Sequence, residues 1–142
     1  MSFDKTRSAG YLTNHLARLF ARRIQARIKP LGLTPGTFPA MLELWTQDGL
    51  SQGELVRRLD IEQATMANTL ARMERDGLIR RLQDAQDARV QRVWLTERGK
   101  ALQNAAVEQA AAVNDEALAG LSASERQELI RLMNKLVGEL RR

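Results

Sequence analysis

Residues 50–82, LSQGELVRRLDIEQATMANTLARMERDGLIRRL, contain the most specific fold signals in the chain. Ser51 is followed three residues later by Glu54, which is the spacing of a capping box at the start of a helix. After a brief turn, residues 62–76 repeat apolar side chains at helical spacing, and Gly77 follows them as the residue that ends a helix. The stretch therefore predicts a short helix, a turn and a second helix.

The pattern changes directly after this pair of helices. Residues 78–82 and 90–95 have the pattern of short strands. The polar segment 83–89 that joins them is too long for a two-residue turn. We therefore expect a β-hairpin with an extended tip.

Helical patterns flank this centre on both sides. Residues 11–28 and 122–140 predict two amphipathic helices, and the Ala-rich residues 96–119 predict a long helix before the second of them. Thr34-Pro35 is a helix start, with Thr as the N-cap and Pro at the first helical position, for a helix that ends near residue 48. The sequence thus predicts a mainly α fold of six helices and a two-stranded hairpin.

Length and composition exclude several classes of protein. The chain has 142 residues, which suggests one domain (1–142), and it has no cysteine, which excludes disulfides and thiolate chemistry. His15 is the single histidine, it lacks a credible nucleophile partner, and no Gly-rich phosphate loop is present, so we expect no enzyme, metal site or cofactor. Since the sequence has no membrane-length apolar run and no secretory signal, we expect a cytoplasmic protein without a membrane partner.

The net charge is positive and unevenly distributed. The chain has 22 Lys and Arg against 17 Asp and Glu, a net charge of +5. Residues 1–30 carry seven basic side chains and one acidic one, which gives +6 for that segment. Such an excess permits a polyanionic partner without demonstrating one.

The ordered set of motifs closely resembles the MarR family of bacterial transcriptional regulators. The resemblance rests on residues 50–59, 63–66, 70–81 and 84–89, followed by Val93-Trp94-Leu95-Thr96-Glu97-Arg98-Gly99. It implies that residues 34–98 form a winged helix-turn-helix that binds double-stranded DNA. It also implies that residues 1–33 and 99–142 form a dimerisation region.

The resemblance further implies a way of working. It predicts a repressor that binds a pseudo-palindromic operator as a homodimer. It also predicts a response to a small aromatic or phenolic acid, bound between the two regions.

Polar side chains occupy the second helix of the pair, on the face opposite Met66, Leu70 and Met73. Asn and Gln can pair bidentately with adenine, and Thr can hydrogen-bond a base edge or contact the thymine methyl. The side chains predicted to contact DNA here are Gln63, Thr65, Asn68, Thr69 and Arg72. The alternative is a polar helix face that contacts only water.

Arg89 lies at the tip of the predicted hairpin. An Arg inserted into a narrow minor groove meets enhanced negative potential, and Asp87 can pair with Arg89 and hold its direction. Asp87-Ala88-Arg89 matches the Asp-x-Arg pattern of the MarR family, although many members have a second basic residue where this chain has Ala88. The alternative is an exposed surface ion pair.

The first helix of the pair offers a contact for the DNA backbone. Ser51 and Gln52 lie at its N-terminus, where free N–H groups and the helix dipole favour a phosphate. We therefore predict that both residues bind DNA.

Three side chains are candidates for an effector site. Tyr11, His15 and Trp45 lie on the first two predicted helices and can line an apolar cleft with a polar handle. The alternatives are a hydrogen-bonded interface histidine for His15 and a core residue for Trp45.

One other function remains as an alternative. A winged helix can also be a protein-interaction module that does not bind DNA. Such a module would more often have apolar residues in place of Arg89 and of the polar Gln63 and Asn68 face.

Overall fold

The computed structural model describes residues 2–142, and its elements follow the predicted order. The helices are α1 (Ala9–Ile28), α2 (Phe38–Thr46), α3 (Gln52–Leu59), α4 (Gln63–Arg75), α5 (Glu97–Ala101), α6 (Gln103–Ala117) and α7 (Ala123–Leu140). Strands β1 (Ile79–Gln83) and β2 (Gln91–Leu95) lie between α4 and α5. The predicted mainly α fold with a winged helix-turn-helix is confirmed. None of the helices in the described part combines the length and the apolar character that a membrane crossing needs.

The helix-turn-helix of α3 and α4 is defined by its end signals. The Ser51 hydroxyl accepts from the Glu54 N–H at 3.1 Å, and the Glu54 carboxylate accepts from the Ser51 N–H at 3.1 Å. These two hydrogen bonds confirm the predicted capping box. The turn places Asp60 in the left-handed region at φ 54°. Gly77 follows α4 at φ 76°, where a residue without Cβ is not strained.

The hairpin is an antiparallel pair in which Ile79 lies opposite Leu95. A third segment lies along the other edge of β2. There, Val93 donates its N–H to the Leu50 carbonyl at 2.8 Å and accepts from the Gly49 N–H at 3.0 Å. The wing is therefore attached by backbone hydrogen bonds to the residues that lead into α3.

One hydrophobic core lies beneath the hairpin and the helix pair. It draws most of its side chains from α2, α3, α4 and both strands, so it holds the second helix of the pair and the wing in a fixed relation. Ile28 of α1 and Ala106 of α6 also belong to it. Its best-buried members, each no more than 1 % exposed, are Ile28, Met41, Leu44, Leu50, Leu55, Met66, Leu70, Met73, Leu78, Ile79, Val93 and Ala106.

The second helix begins later than the sequence predicted. Thr34 and Thr37 bound a separate turn, in which the Thr37 hydroxyl donates to the Thr34 carbonyl at 3.2 Å. The Phe38 N–H donates to the same carbonyl at 3.1 Å, and α2 starts at Phe38. Pro39 rather than Pro35 therefore occupies the first helical turn. The prediction of a start at Thr34-Pro35 was wrong because the two threonine side chains stabilise a turn of their own.

The helix predicted over residues 96–119 is two helices, so the described residues contain seven helices rather than six. Thr96 caps α5 as predicted, since its hydroxyl accepts from the Gly99 N–H at 3.1 Å. α5 packs on β2, whereas α6 packs on α1, and Leu102 between them is half-buried against the core. The helix is interrupted at Leu102 because its two parts pack against different elements.

The terminal helices α1 and α7 leave most of their apolar side chains uncovered. α1 buries only Ile28, and α7 buries no residue. Arg27 of α1 forms an ion pair with Glu116 of α6, and Arg141 at the end of α7 forms one with Asp60 at 2.9 Å. The exposed apolar side chains of the two helices include Leu12, Leu16, Leu19, Ile130, Leu132, Met133, Leu136, Val137 and Leu140.

Candidate nucleic-acid interface

An open groove of about 610 Å³ lies between the helix-turn-helix and the wing tip. The N-terminal ends of α3 and α4 form one side, and the wing loop forms the other. Ser51, Gln52, Gln63 and Arg89 all line it. The fold therefore brings together four of the nine residues that were predicted to bind DNA, although they are up to 38 positions apart in the chain (89 minus 51).

The two helices of the motif also contact one another at their N-terminal ends. The Gln52 amide donates to the Gln63 side-chain oxygen at 3.4 Å. Ser51 uses its hydroxyl oxygen as an acceptor for the α3 cap, which leaves its hydroxyl proton able to donate. A phosphate placed here would meet a hydroxyl, an amide and a helix N-terminus.

The exposed face of α4 carries most of the predicted base-contacting side chains. Gln63, Thr65, Asn68 and Arg72 are exposed, on the side away from the core. Thr69 was predicted on this face, but it is buried, with 7 % exposure. The predicted placement on the polar face was wrong, because Thr69 lies three residues after Met66 and four before Met73, which places it with the apolar stripe.

The wing tip holds a paired guanidinium. Asp87 Oδ1 accepts from the Arg89 Nε at 3.1 Å and from its backbone N–H at 3.0 Å, and Oδ2 accepts from Nη2 at 3.2 Å. The Arg89 side chain is nevertheless 90 % exposed. Hydrogen bonds from the Arg89 side chain and backbone hold the pKa of Asp87 below its usual value, so the pair stays charged. The predicted pairing of Asp87 with Arg89 is thus confirmed.

Arg92 does not line the groove, but it is paired through its backbone with Ser51, which does, and it was not predicted from the sequence to have a role here. Its Nε donates to Asp84 Oδ1 at 2.5 Å, and its Nη1 donates to the Gly49 carbonyl at 3.0 Å. The same Nη1 lies 3.7 Å from Glu54 Oε1. The sequence places Arg92 in the second predicted strand, residues 90–95, and gives it no further role. The acidic Asp84 at the other side of the loop was the available signal.

The effector candidates do not form one cleft. Tyr11 and His15 lie together on α1, with ring centroids 6.2 Å apart. Trp45 instead packs edge-on against Phe38, and its indole N–H donates to the Gly99 carbonyl at 2.8 Å. Trp45 therefore serves the packing of α2 against α5, which is the core role that was the alternative for it.

A second concavity, of about 260 Å³, lies between α1 and α6. Leu16, Leu19, Phe20 and Val113 form its apolar walls, and Arg23 and Glu116 lie at its edge. None of the three effector candidates lines it. Within residues 2–142, no three His, Asp or Glu side chains are grouped so as to hold a metal ion.

Comparisons with known proteins agree with this arrangement. The model of the MarR family matches residues 33–90. The transcriptional regulator HosA of Escherichia coli O157:H7 is 36 % identical over 105 residues, which are 74 % of this chain and 78 % of HosA. The HTH-type transcriptional repressor Rv2887 of Mycobacterium tuberculosis is 31 % identical over 127 residues, 89 % of this chain and 91 % of Rv2887.

A solved structure shows the same fold. A Listeria monocytogenes protein, crystallised in complex with a 26mer DNA, matches with a TM-score of 0.87 at 22 % identity, over 95 % of this chain and 90 % of that one. The sequence relatives and the fold lead to one assignment. This chain belongs to the MarR family and is a DNA-binding transcriptional regulator.

Proposed function

We propose that this protein is a repressor that binds a pseudo-palindromic operator as a homodimer. The single observation that carries the proposal is the groove shared by Ser51, Gln52, Gln63 and Arg89. A helix N-terminus, a polar helix face and an exposed guanidinium on one side of a protein match phosphate, base edges and a minor groove. The relative Rv2887 is a repressor by name, which favours repression over activation.

Each side chain has a proposed role. α4 enters the major groove and offers Gln63, Thr65, Asn68 and Arg72, while Ser51 and Gln52 bind a flanking phosphate. Arg89 enters the neighbouring minor groove, with Asp87 holding its direction. Thr69 acts from the buried side, where it packs α4 against the core.

The two regions of the chain have different proposed roles. Residues 34–98 form the DNA-binding region, and residues 1–33 and 99–142 join two copies. The support for a dimer is the uncovered apolar surface of α1 and α7, which one chain does not bury. Two joined copies present two α4 helices and two wings to neighbouring turns of one duplex in the cytoplasm.

An effector completes the proposal. A small aromatic or phenolic acid binds between the two regions, and Tyr11 and His15 are its candidate contacts because they are paired and exposed on α1. Selection of bound duplexes from random DNA, carried out with and without such acids, tests the effector proposal. Loss of the enriched motif with one compound identifies the effector, and an unchanged motif with every compound argues against this ligand class.

Selection of bound duplexes from random DNA by the wild-type protein tests the proposal. We expect a pseudo-palindrome whose half-sites lie about one helical turn apart, roughly 10–10.5 base pairs. Affinity for that duplex should fall steeply as salt is raised, because bound phosphates release counterions. A protein that enriches no sequence and shows no salt dependence would instead be a protein-interaction module.

The variant Arg89→Ala tests the role of the wing. We expect at least about tenfold weaker binding to the selected duplex in a titration, because a minor-groove cation is lost. Arg131→Ala is the matched control, since Arg131 is exposed on α7 and pairs with Glu128 on the same helix at 2.6 Å. Equal affinities for the two variants would refute the wing assignment.

Asn68→Ala should relax base preference at one position, by about 1–3 kcal/mol at the cognate base.

A further inference from the structure

Arg92 contacts three parts of the DNA-binding region through one guanidinium. Asp84 belongs to the wing loop, Glu54 belongs to the capping box of α3, and Gly49 lies in the segment that precedes α3. The Arg92 guanidinium contacts all three, at 2.5, 3.7 and 3.0 Å. It is half-buried, with 39 % of its side chain exposed.

The Asp84 carboxylate extends this contact toward the wing tip. Its Oδ2 accepts from the backbone N–H groups of Gln86 and Asp87, each at 3.0 Å. Asp87 in turn holds the Arg89 guanidinium. A continuous series of hydrogen bonds therefore runs from Arg92 through Asp84 and Asp87 to Arg89.

The charges in this series are mutually supportive. The Arg92 side chain holds the pKa of Asp84 below its usual value, and Asp84 raises the pKa of Arg92. The Ser51 backbone N–H keeps the pKa of Glu54 low as well. All three groups thus stay ionised at neutral pH, so the hydrogen bond between Arg92 and Asp84 is charge-assisted.

Backbone hydrogen bonds fix the base of the wing but not its outer loop. Gly49 and Leu50 pair with Val93 at the base. Beyond the strands, the loop is closed by the Asp84 N–H donating to the Val90 carbonyl at 2.8 Å and by the Val90 N–H donating to the Asp87 carbonyl at 3.0 Å. Both bonds are internal to the loop. The loop is linked to the α3 side through Asp84 and Arg92, because Arg92 also contacts Gly49 and Glu54.

We propose that Arg92 is a positioning residue for DNA recognition: it sets the separation between Arg89 at the wing tip and the helix N-termini across the groove. This inference rests on the proposed function. Arg92 acts through Arg89 and does not itself bind a phosphate. The spacing between a minor-groove contact and a major-groove helix is fixed by the duplex, so a displaced wing tip loses its contact while the protein stays folded.

A double-mutant cycle on the selected duplex tests the inference. The proteins are the wild type, Arg89→Ala, Arg92→Ala and the double variant, each measured by fluorescence anisotropy at two salt concentrations. Because residues that act as one unit are not additive, we expect Arg92→Ala to weaken binding about tenfold in the wild-type background and less than about twofold beside Arg89→Ala. Equal losses in both backgrounds would overturn the inference.

Two conservative variants separate positioning from charge. Arg92→Lys keeps the charge, but a single ammonium does not span Asp84 and the Gly49 carbonyl as the guanidinium does, so we expect it to bind as weakly as Arg92→Ala. Asp84→Asn should reproduce the same loss, because it removes the carboxylate that Arg92 holds. If Arg92→Lys binds DNA with wild-type affinity, the positive charge of Arg92 contacts a phosphate, and its hydrogen bonds to Asp84 and Gly49 do not position the wing.

The design distinguishes failure of the inference from failure of the proposed function. If the wild type enriches no duplex, or Arg89→Ala binds as the wild type does, the proposed function fails and the inference falls with it. If Arg89→Ala is weakened and Arg92→Ala is not, only the inference is overturned. Thermal unfolding followed by circular dichroism must show that each variant melts as the wild type does, since a loss of folding would lower affinity in both backgrounds.

Discussion

The winged helix-turn-helix and the terminal helices use apolar residues in opposite ways. In the first region, Leu55, Leu70 and Met73 are completely buried, and the core closes within one chain. In the second, α7 buries no residue, although it carries apolar side chains at helical spacing along its whole length. Similar sequence patterns therefore lead to intrachain packing in one place and to an uncovered surface in the other. The stability of the first should depend on packing, and that of the second on association.

The largest expected effect comes from the core of the first region. Leu70→Ala should lower the free energy of unfolding by about 2–5 kcal/mol, because it removes buried methyl groups and leaves a cavity. Leu82→Ala is the control, since Leu82 on β1 is 54 % exposed. Urea denaturation followed by circular dichroism measures both. A loss for Leu82→Ala as large as that for Leu70→Ala would show that the stability of this region does not depend on its buried core.

A charge placed on the α7 apolar stripe should dissociate two copies without unfolding either DNA-binding region. Val137 is 54 % exposed in the single chain, and Val137→Glu would bury a carboxylate in the proposed interface. We expect the dimer dissociation constant to rise at least about a hundredfold, the equivalent of 2.8 kcal/mol, as measured by sedimentation equilibrium. Ser124→Glu adds the same charge about 140° away around α7, at an exposed position, and should leave the dimer intact. A wild-type protein that sediments as a monomer would contradict the assignment of this region.

The two capping boxes allow the same comparison between the regions, with the smallest expected effect on stability. Ser51 caps α3 in the packed region, and Ser122 caps α7 in the uncovered one, with the same reciprocal bonds. Ser51→Ala should lower the free energy of unfolding by about 1 kcal/mol in urea denaturation. Ser122→Ala should have a smaller effect, because its helix buries nothing within the chain. Equal losses would show that α7 is as firmly integrated as α3.

The pH dependence of the free energy of unfolding provides a second test of the α3 cap. The Ser51 backbone N–H holds the pKa of Glu54 below its ordinary value of 4.5. A carboxyl with a lowered folded-state pKa stabilises the fold above its unfolded pKa, and this contribution is lost as the pH falls through the lowered value. The stability difference between the wild type and Glu54→Gln should therefore shrink as the pH falls below 4.5.

Most of the fold was predictable because its signals are local. The caps at Ser51, Thr96 and Ser122 each bind an N–H three residues away, so the partner is visible in the sequence. The start of α2 and the break at Leu102 were not predictable in this way. The side chains of a competing turn decide the first, and two different packing partners decide the second.

The candidate site likewise combines local contacts, which the sequence predicts, with long-range contacts, which it does not. Asp87 and Arg89 are two residues apart, and their pairing was predicted from that spacing. Arg92 pairs with Asp84 across the loop, for which the sequence offered a signal, but it also binds a carbonyl 43 residues away, which no local pattern indicates. Thr69 is different, because its spacing from Met66 and Met73 indicates burial and was available in the sequence.

The Asp87–Arg89 pair has a consequence for how the protein meets a duplex. A long arginine side chain in solution samples many rotamers, and ordering it on binding is entropically unfavourable. Asp87 holds the guanidinium through two of its nitrogens while leaving it exposed, so much of that ordering takes place when the chain folds. The wing tip is therefore preorganised, and the Arg89 side chain loses less conformational freedom when it binds DNA.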